Sequence, residues 1–345
     1  MNAEDSAIDD EKERRLVMSE VHLGCPPGIS GPHISHFTVS IPSDSKSNRF
    51  SGLFKDEAAP MHRTICVDED GDLVLTRRNS TTHNCRITVQ HNITSSISCV
   101  GLQLWKAELL LSDFVLHKMF TSSVLDGIIS LELGAGTGLV GILLACVAKT
   151  VFLTDRDEEI LDNCAINVQL NSGVVNYQAA IHVRELDWMN FWPPKVIVET
   201  SSSQRWYSWT SSEIEEAQRA SLLLAADVIY SDNLTDSFFH MLERLMSVGA
   251  NKVLYLALEK RYNFSLDDHD VVANGYSRFR SYFAEEGDSE AFDPESSPSF
   301  VGKRVDLTII PQYMEEYDRG SDVELWEIKY KRRRHELGDS SQQYC

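Results

Sequence analysis

Four short groups of residues have the types and spacing for chemistry. The first is Leu131-Glu132-Leu133-Gly134-Ala135-Gly136-Thr137-Gly138, an apolar run that breaks into glycines before a second apolar run. Glycines let the backbone turn tightly and let a ligand approach main-chain N–H groups at a helix N-terminus. The second is Asp155, which ends the next apolar run, about twenty residues after the first glycine, where a carboxylate can accept from both hydroxyls of a ribose. Asp155 also suits a helix cap near Asp157 or Glu158. Together these groups indicate a nucleoside ligand without choosing it. Gly136, Gly138 and Gly141 equally fit the G-x-G-x-x-G spacing of dinucleotide turns, so a nicotinamide oxidoreductase stays open.

The third group, Leu186-Asp187-Trp188, offers a carboxylate to accept from an adenine amino group and an indole to cover a ring face, unless Trp188 is core. The fourth is Ala226-Asp227-Val228-Ile229-Tyr230. At the C-terminal edge of an open parallel sheet, Asp227 and Tyr230 would project toward a reacting centre. A carboxylate buried there needs a partner. The competing reading makes Asp227 a cap for the next helix and Tyr230 core.

The elements that must hold these groups follow from hydrophobic period. An amphipathic helix fits Gln103–Phe120. Strands at Gly127–Leu133, Thr150–Thr154, Ala179–Glu185, Leu222–Tyr230 and Lys252–Leu258 alternate with helices at Leu139–Ala148, Glu158–Asn171, Leu234–Val248 and His269–Glu285. Arg304–Ile310 and Glu324–Lys331 read as two strands without a helix between them, hence an antiparallel hairpin. The fold class is therefore α/β, a doubly wound seven-stranded Rossmann-like sheet ending in that hairpin. Residues 190–221 interrupt the rhythm with Pro193-Pro194, a Ser-rich run and Arg205-Trp206-Tyr207-Ser208-Trp209. A connection this long reads as either substrate-binding or a disordered insertion.

Before the domain, residues 1–60 are rich in Ser, Pro, Gly, Asp and Glu and are expected to be a poorly ordered tail. Residues 61–100, with short β-branched runs such as Arg63–Val67, Leu73–Thr76 and Arg86–Val89, are expected to form a small β appendage. The domain itself occupies 101–335, with a flexible tail over 336–345. The acidic cluster Asp68–Asp72 lacks the spacing and closing Glu of a calcium loop, and no metal is expected. Seven cysteines without a CxxC pair read as free thiols. The longest apolar run, Leu139–Ala148, is about half a membrane span. The net charge of −20 repels a phosphate backbone and attracts basic proteins, so neither nucleic acid nor membrane is an expected partner. The basic run Lys329, Lys331, Arg332, Arg333 and Arg334 is either a nuclear-import signal or the frayed end of a strand, and the expected location is nucleus and cytoplasm.

From about residue 100 to 332 the motifs resemble the seven-β-strand protein lysine methyltransferases with an Asp-x-x-Tyr motif after strand four, whose substrates are non-histone proteins. Gly101-Leu102-Gln103-Leu104-Trp105-Lys106-Ala107 resembles that family's Trp-Asp-Ala-Ala opening. The resemblance implies S-adenosylmethionine as cofactor. Trp105, Glu132, Gly134, Ala135 and Gly136 are expected against it, with Asp155 on the ribose, Asp187 and Trp188 on the adenine, and Ala226 beside Asp227. Asp227 and Tyr230 are expected to be catalytic. Lys106 stands where the family has an aspartate, which leaves a pseudoenzyme scaffold open. A lysine ammonium, with an ordinary pKa near about 10.4, has no free lone pair until it loses a proton. Asp227 would orient the amine, Tyr230 would offer a hydroxyl and a π face, and proton loss could go to water. The implied partner is a basic protein, and the chain is expected to be a monomer.

Overall fold

The computed structural model describes residues 16–22, 31–42, 83–176, 178–196, 206–265, 270–273, 275–286 and 299–331. In chain order these form β1 (Leu16–Met18), β2 (His33–Ile41), β3 (His83–His91), β4 (Thr94–Ser96), α1 (Lys106–Thr121), β5 (Ile129–Leu133), α2 (Leu139–Leu144), β6 (Thr150–Asp155), α3 (Glu158–Leu170) and β7 (Ala180–Glu185). Then follow α4 (Ser211–Gln218), β8 (Leu222–Ala226), α5 (Asp232–Ser247), β9 (Val253–Glu259), β10 (Tyr262–Ser265), β11 (Asp270–Ala273), α6 (Tyr276–Arg280), β12 (Phe283–Glu285), β13 (Phe300–Arg304) and β14 (Val323–Tyr330). No helix among the described residues is long and apolar enough to cross a membrane.

One eight-stranded sheet dominates, in the order β12-β13-β14-β9-β8-β5-β6-β7. β7, β6, β5, β8 and β9 run parallel, while β14 is antiparallel to both β9 and β13. The chain steps outward from β5 through β6 to β7, then crosses back to β8 on the other side of β5. That reversal opens a crevice at the C-terminal ends of β5 and β8, where open α/β sheets bind ligands.

Strand alternation divides the core in two. Leu222 and Leu224 of β8 face one cluster, with α1 and α2, whereas Leu223 and Ala225 face the other, with α4 and α5. Each fully buried leucine contributes about 2 kcal/mol. The sequence reading made α1 amphipathic, but it is buried on nearly every side, from Ala107 to Leu116 without a break. The reason is a second cover: Phe37, Val39 and Ile41 of β2 join the same buried cluster, and its buried Asp113 accepts from Tyr313 N at 2.7 Å, Met314 N at 2.9 Å and Arg319 at 2.7 Å.

The N-terminal elements differ from expectation. Residues 33–41, placed in a poorly ordered tail, form a nine-residue strand paired antiparallel with 83–91, because Phe37, Val39 and Ile41 alternate inward. The β appendage is therefore not a unit of 61–100; among the described residues it joins 33–41 to 83–91, and β1 pairs with β4. Its inner edge is held by two asparagines one helical turn apart, Asn167 in the last turn of α3 and Asn171 at its C-cap. Asn171 accepts from Thr88 N at 2.9 Å and donates to Thr88 O at 2.7 Å. Asn167 accepts from Gln90 N at 2.6 Å and donates to Gln90 O and Thr137 O, both at 2.9 Å. The side-chain amides replace the missing neighbour strand and satisfy backbone groups that would otherwise be buried unpaired. Arg63–Val67, Leu73–Thr76, Asp68–Asp72 and the basic run from Arg332 onward lie outside the described residues.

Other elements shift for identifiable reasons. α2 stops at Leu144 rather than Ala148 because Cys146 and Val147 bond back to carbonyls three residues earlier. β8 stops at Ala226 rather than Tyr230 because Asp227 has φ 56°, outside any strand geometry. The helix expected over His269–Glu285 is instead β11, the short α6 and β12; β12 adds an eighth strand, parallel to β13. The final hairpin forms from Phe300–Arg304, not Arg304–Ile310, and Leu307–Ile309 is a single 3-10 turn. Finally, 211–218 inside the supposed insertion is helix α4, opened by a capping box between Thr210 and Glu213. Beside it Trp209 is buried, stacked 5.3 Å from Phe152 and donating to Glu185 O at 2.7 Å.

Candidate active site

The glycine turn lies between β5 and α2. Gly134, Gly136 and Gly138 all take positive φ, at 69°, 52° and 80°. Space as well as conformation requires all three: a Cβ on Gly134 would stand 2.9 Å from Val228 Cγ1 and 3.3 Å from the Trp188 ring, one on Gly136 would stand 3.0 Å from Gly101 O, and one on Gly138 would stand 2.7 Å from Cys164 Sγ. The turn is pinned from below. Ala135 N donates to Thr154 O at 2.9 Å, Gly136 N to Asp155 Oδ2 at 2.9 Å, and Gly141 N to Glu132 Oε2 at 2.9 Å.

A cavity of about 600 Å³ opens over this turn. It brings together all the residues singled out from sequence: Trp105, Glu132, Gly134, Ala135, Gly136, Asp155, Asp187, Trp188, Ala226, Asp227 and Tyr230. Their surroundings refine several readings. Asp155 does not cap α3, whose N-cap residue is Asp157; it accepts from Gly136 N and Arg156 N. Glu132 lines the cavity yet commits one oxygen to the first turn of α2. Asp187 accepts from Met189 N at 2.9 Å and Asn190 at 3.0 Å. Trp188 meets Phe238 edge to face, with centroids 5.0 Å apart, and its buried Nε1 has no hydrogen-bond partner among the described residues. Trp105 immediately precedes α1 and donates to Val100 O at 2.9 Å.

Asp227 is the one non-glycine residue with positive φ among those described. Its Oδ2 is paired with Arg261, whose guanidinium lies 4.7 Å from the centre of the Trp105 ring and whose Nε lies 3.6 Å from Glu20 Oε1. Its Oδ1 is buried and finds no hydrogen-bond partner among the described residues. Burial pushes the Asp227 carboxyl up, and the Arg261 guanidinium opposes that push. Lys106, at the family's aspartate position, pairs with Glu259 Oε1 at 2.5 Å and is not among the residues lining the cavity.

Glu108 was missed from sequence, where it reads as a polar position in a helix. It lines the cavity, is buried, and accepts from the Thr137 hydroxyl. Burial pushes it up to about 7, and burial together with the Glu108 charge lifts Glu132 well above its ordinary value. A folded carboxyl that holds its proton to higher pH than the unfolded one loses stability as pH rises, here through the window from 4.5 to about 7. A shift of that size corresponds to about 3 kcal/mol. Glu108→Gln is therefore expected to flatten the decline in urea stability of the cofactor-free protein between pH 5 and 8 by roughly that amount. An unchanged slope would show that Glu108 ionises freely.

The cavity suits a nucleoside cofactor carrying a positive sulfur: glycines where a Cβ would intrude, an indole beside them with an unspent donor, and several carboxyls around one space. Comparison with known proteins identifies the type. Residues 82–203 match the family model described as lysine methyltransferase. The chain is 33% identical over 298 residues to methyltransferase-like protein 22 of Homo sapiens, covering 84% of this chain and 68% of that protein. The Mus musculus protein of the same name is 33% identical over 271 residues, 78% of this chain and 65% of that one. Protein N-lysine methyltransferase METTL21A of Mus musculus is 32% identical over 164 residues, 47% of this chain and 62% of that one. These relatives set aside the nicotinamide reading. With the glycine turn, Asp155, Asp187-Trp188 and Asp227-x-x-Tyr230 gathered on one sheet edge, the chain belongs to the family of S-adenosylmethionine-dependent lysine methyltransferases that includes methyltransferase-like protein 22.

Proposed function

We propose that the protein methylates the side-chain amine of lysine in a basic protein substrate, acting as a monomer. The observation that carries this reading is the Asp227 carboxylate: buried at the cavity wall, clamped through Oδ2 by Arg261, with Oδ1 left to accept from an incoming donor. The net charge of −20 supports a basic partner, since opposite charge speeds encounter and rejects acidic competitors.

S-adenosylmethionine supplies an electrophilic methyl group on a cationic sulfur. The protein's own groups do the rest. Asp155 and Asp187 offer carboxylates to the ribose and adenine, Trp188 and the turn Gly134-Ala135-Gly136 enclose them, and Trp105, Glu132 and Ala226 complete the wall. Asp227 accepts a hydrogen bond from the amine and fixes its direction, and Arg261 favours its ionised form against burial and holds it in place. Tyr230 sets a phenol ring beside the nitrogen, where a cationic centre is favoured. Water takes the proton that the ammonium releases.

Incubating purified protein with a cell extract and methyl-labelled cofactor is expected to put label on proteins that hydrolyse to methyl-lysine. Label on arginine or histidine alone, or on no protein, would overturn the proposal.

A further inference from the structure

The wall that carries Asp227 has a contribution from outside the sheet. Arg261 binds Asp227 through Nη2, its central carbon lies 4.7 Å from the centre of the Trp105 ring, and its Nε lies 3.6 Å from Glu20 Oε1. Asp227 follows β8 and Arg261 follows β9, but Glu20 belongs to a single 3-10 turn, Glu20–His22, on the N-terminal segment 16–22.

A guanidinium is a rigid planar fork, and a single contact at Nη2 leaves it free to swing about that contact. A carboxylate at Nε holds the other arm and so sets the plane. Charge argues the same way. Arg261 is a cation beside the acceptor of an amine, and sharing it between two carboxylates leaves Asp227 Oδ1 the stronger acceptor. Lys106, the other cation nearby, is taken up by Glu259 at 2.5 Å.

A group that positions another must itself be held. Ser19, next to Glu20, is fully buried, as is Gln103. Ser19 N donates to Gln103 Oε1 at 2.8 Å, Ser19 Oγ to Leu104 O at 2.5 Å, and Gln103 Nε2 to Val17 O at 3.1 Å. On the other side of Glu20, His22 stacks on His91 with centroids 4.6 Å apart. Gln103 and Leu104 immediately precede Trp105, so the segment is fastened to the stretch of chain that carries the indole beside Arg261.

We propose that Glu20 is a positioning residue for methyl transfer: through Arg261 Nε it fixes the guanidinium that aims Asp227, so that the N-terminal segment 16–22 completes the reaction centre. The assignment rests on the lysine methyltransferase reading above.

The test uses the full chain, methyl-labelled cofactor and a titration of cell-extract protein. Glu20→Ala is expected to lower kcat about tenfold, the cost of a slightly misaimed group. Apparent KM for extract protein and affinity for S-adenosylhomocysteine should each stay within about twofold of native. Glu20→Gln keeps an oxygen for Arg261 Nε–H and is expected to recover much of the rate, and Leu16→Ala, exposed on the same segment, should leave it native. In an Arg261→Ala background, adding Glu20→Ala should change kcat by less than about twofold, since the pair acts as a unit. Independently of activity, the Arg261 Nε–H proton is expected by NMR to exchange with water faster in Glu20→Ala than in the native protein.

If the native protein marks no lysine, the underlying reading is wrong and the positioning role falls with it. If it marks lysine while Glu20→Ala keeps the native kcat, or loses as much without Arg261 as with it, the assignment to Glu20 is wrong. A KM or cofactor affinity that moves as far as kcat would make Glu20 merely structural. Should Arg261→Ala fail to fold, an Arg261 Nε–H exchange rate unchanged in Glu20→Ala overturns the proposal by itself.

Discussion

Asp227→Ala is expected to lower methyl transfer about a thousandfold, roughly 4 kcal/mol of transition-state stabilisation, the range found when one preorganised polar group is removed from a reaction centre. S-adenosylhomocysteine affinity should change by less than about threefold, because the residues around the glycine turn are untouched. Two features of the site make the effect large. Asp227 holds a left-handed backbone at φ 56°, so its carboxylate leaves the strand and enters the cavity instead of continuing the sheet. Removing it also leaves Arg261 with Glu20 as its remaining close carboxylate among the described residues, at 3.6 Å, so the guanidinium is free to turn into the space proposed for the amine. Asp227→Asn separates shape from charge. Asparagine tolerates left-handed backbone and still offers an acceptor, but it cannot neutralise Arg261 or favour an ammonium. A rate as low as that of the alanine variant assigns the effect to charge; a rate near native assigns it to hydrogen-bond direction. An alanine variant that binds cofactor and methylates at the native rate would remove Asp227 from the chemistry.

The groups named from sequence met in one cavity because each was read at the end of an apolar run, and in a doubly wound sheet those ends share one edge. That logic needs only local pattern and topology. It failed for residues whose partners are far along the chain. Lys106 and Glu259 are 153 positions apart and Arg261 and Asp227 are 34 apart, so neither pairing shows in the local pattern. Nothing local separates a surface lysine from one that neutralises a buried glutamate. Glu108 was invisible for the same reason, since the hydroxyl it accepts from, on Thr137 of the glycine turn, is 29 positions away.

Other misses had a signal that composition masked. The alternation of Phe37, Val39 and Ile41 was present, but the Ser- and Pro-rich surroundings argued for a tail; only pairing with 83–91 supplies the hydrogen bonds that make it a strand. The Thr210-x-x-Glu213 box announced α4 inside a stretch read as an insertion. Conversely, the extension of β8 to Tyr230 followed apolar content past Asp227, where a single backbone angle ends the strand. That correction matters chemically, since it places Asp227 and Tyr230 on the loop before α5.

Gly134→Ala is expected to weaken S-adenosylhomocysteine binding about thirtyfold, or ~2 kcal/mol, and to cut the rate further at saturating cofactor. A methyl group there meets two obstacles at once, a φ of 69° that L side chains avoid and a Cβ position 2.9 Å from Val228 and 3.3 Å from Trp188. The strain must be relieved by one of three movements. If the turn shifts, Gly136 N loses its 2.9 Å bond to Asp155. If Trp188 withdraws, the ring proposed to cover the nucleoside is displaced. If Val228 gives way, the side chain next to Asp227 is displaced, and the carboxylate proposed to aim the amine loses its packed neighbour. Every escape therefore damages cofactor binding or chemistry, which is why one methylene-sized change should act on both. Gly173→Ala is the control, because its Cβ has nothing within 4 Å and its φ is not positive. Calorimetry that found native affinity in the Gly134→Ala protein would mean that the nucleoside does not lie on this turn, and the cofactor site would have to be sought elsewhere on the sheet.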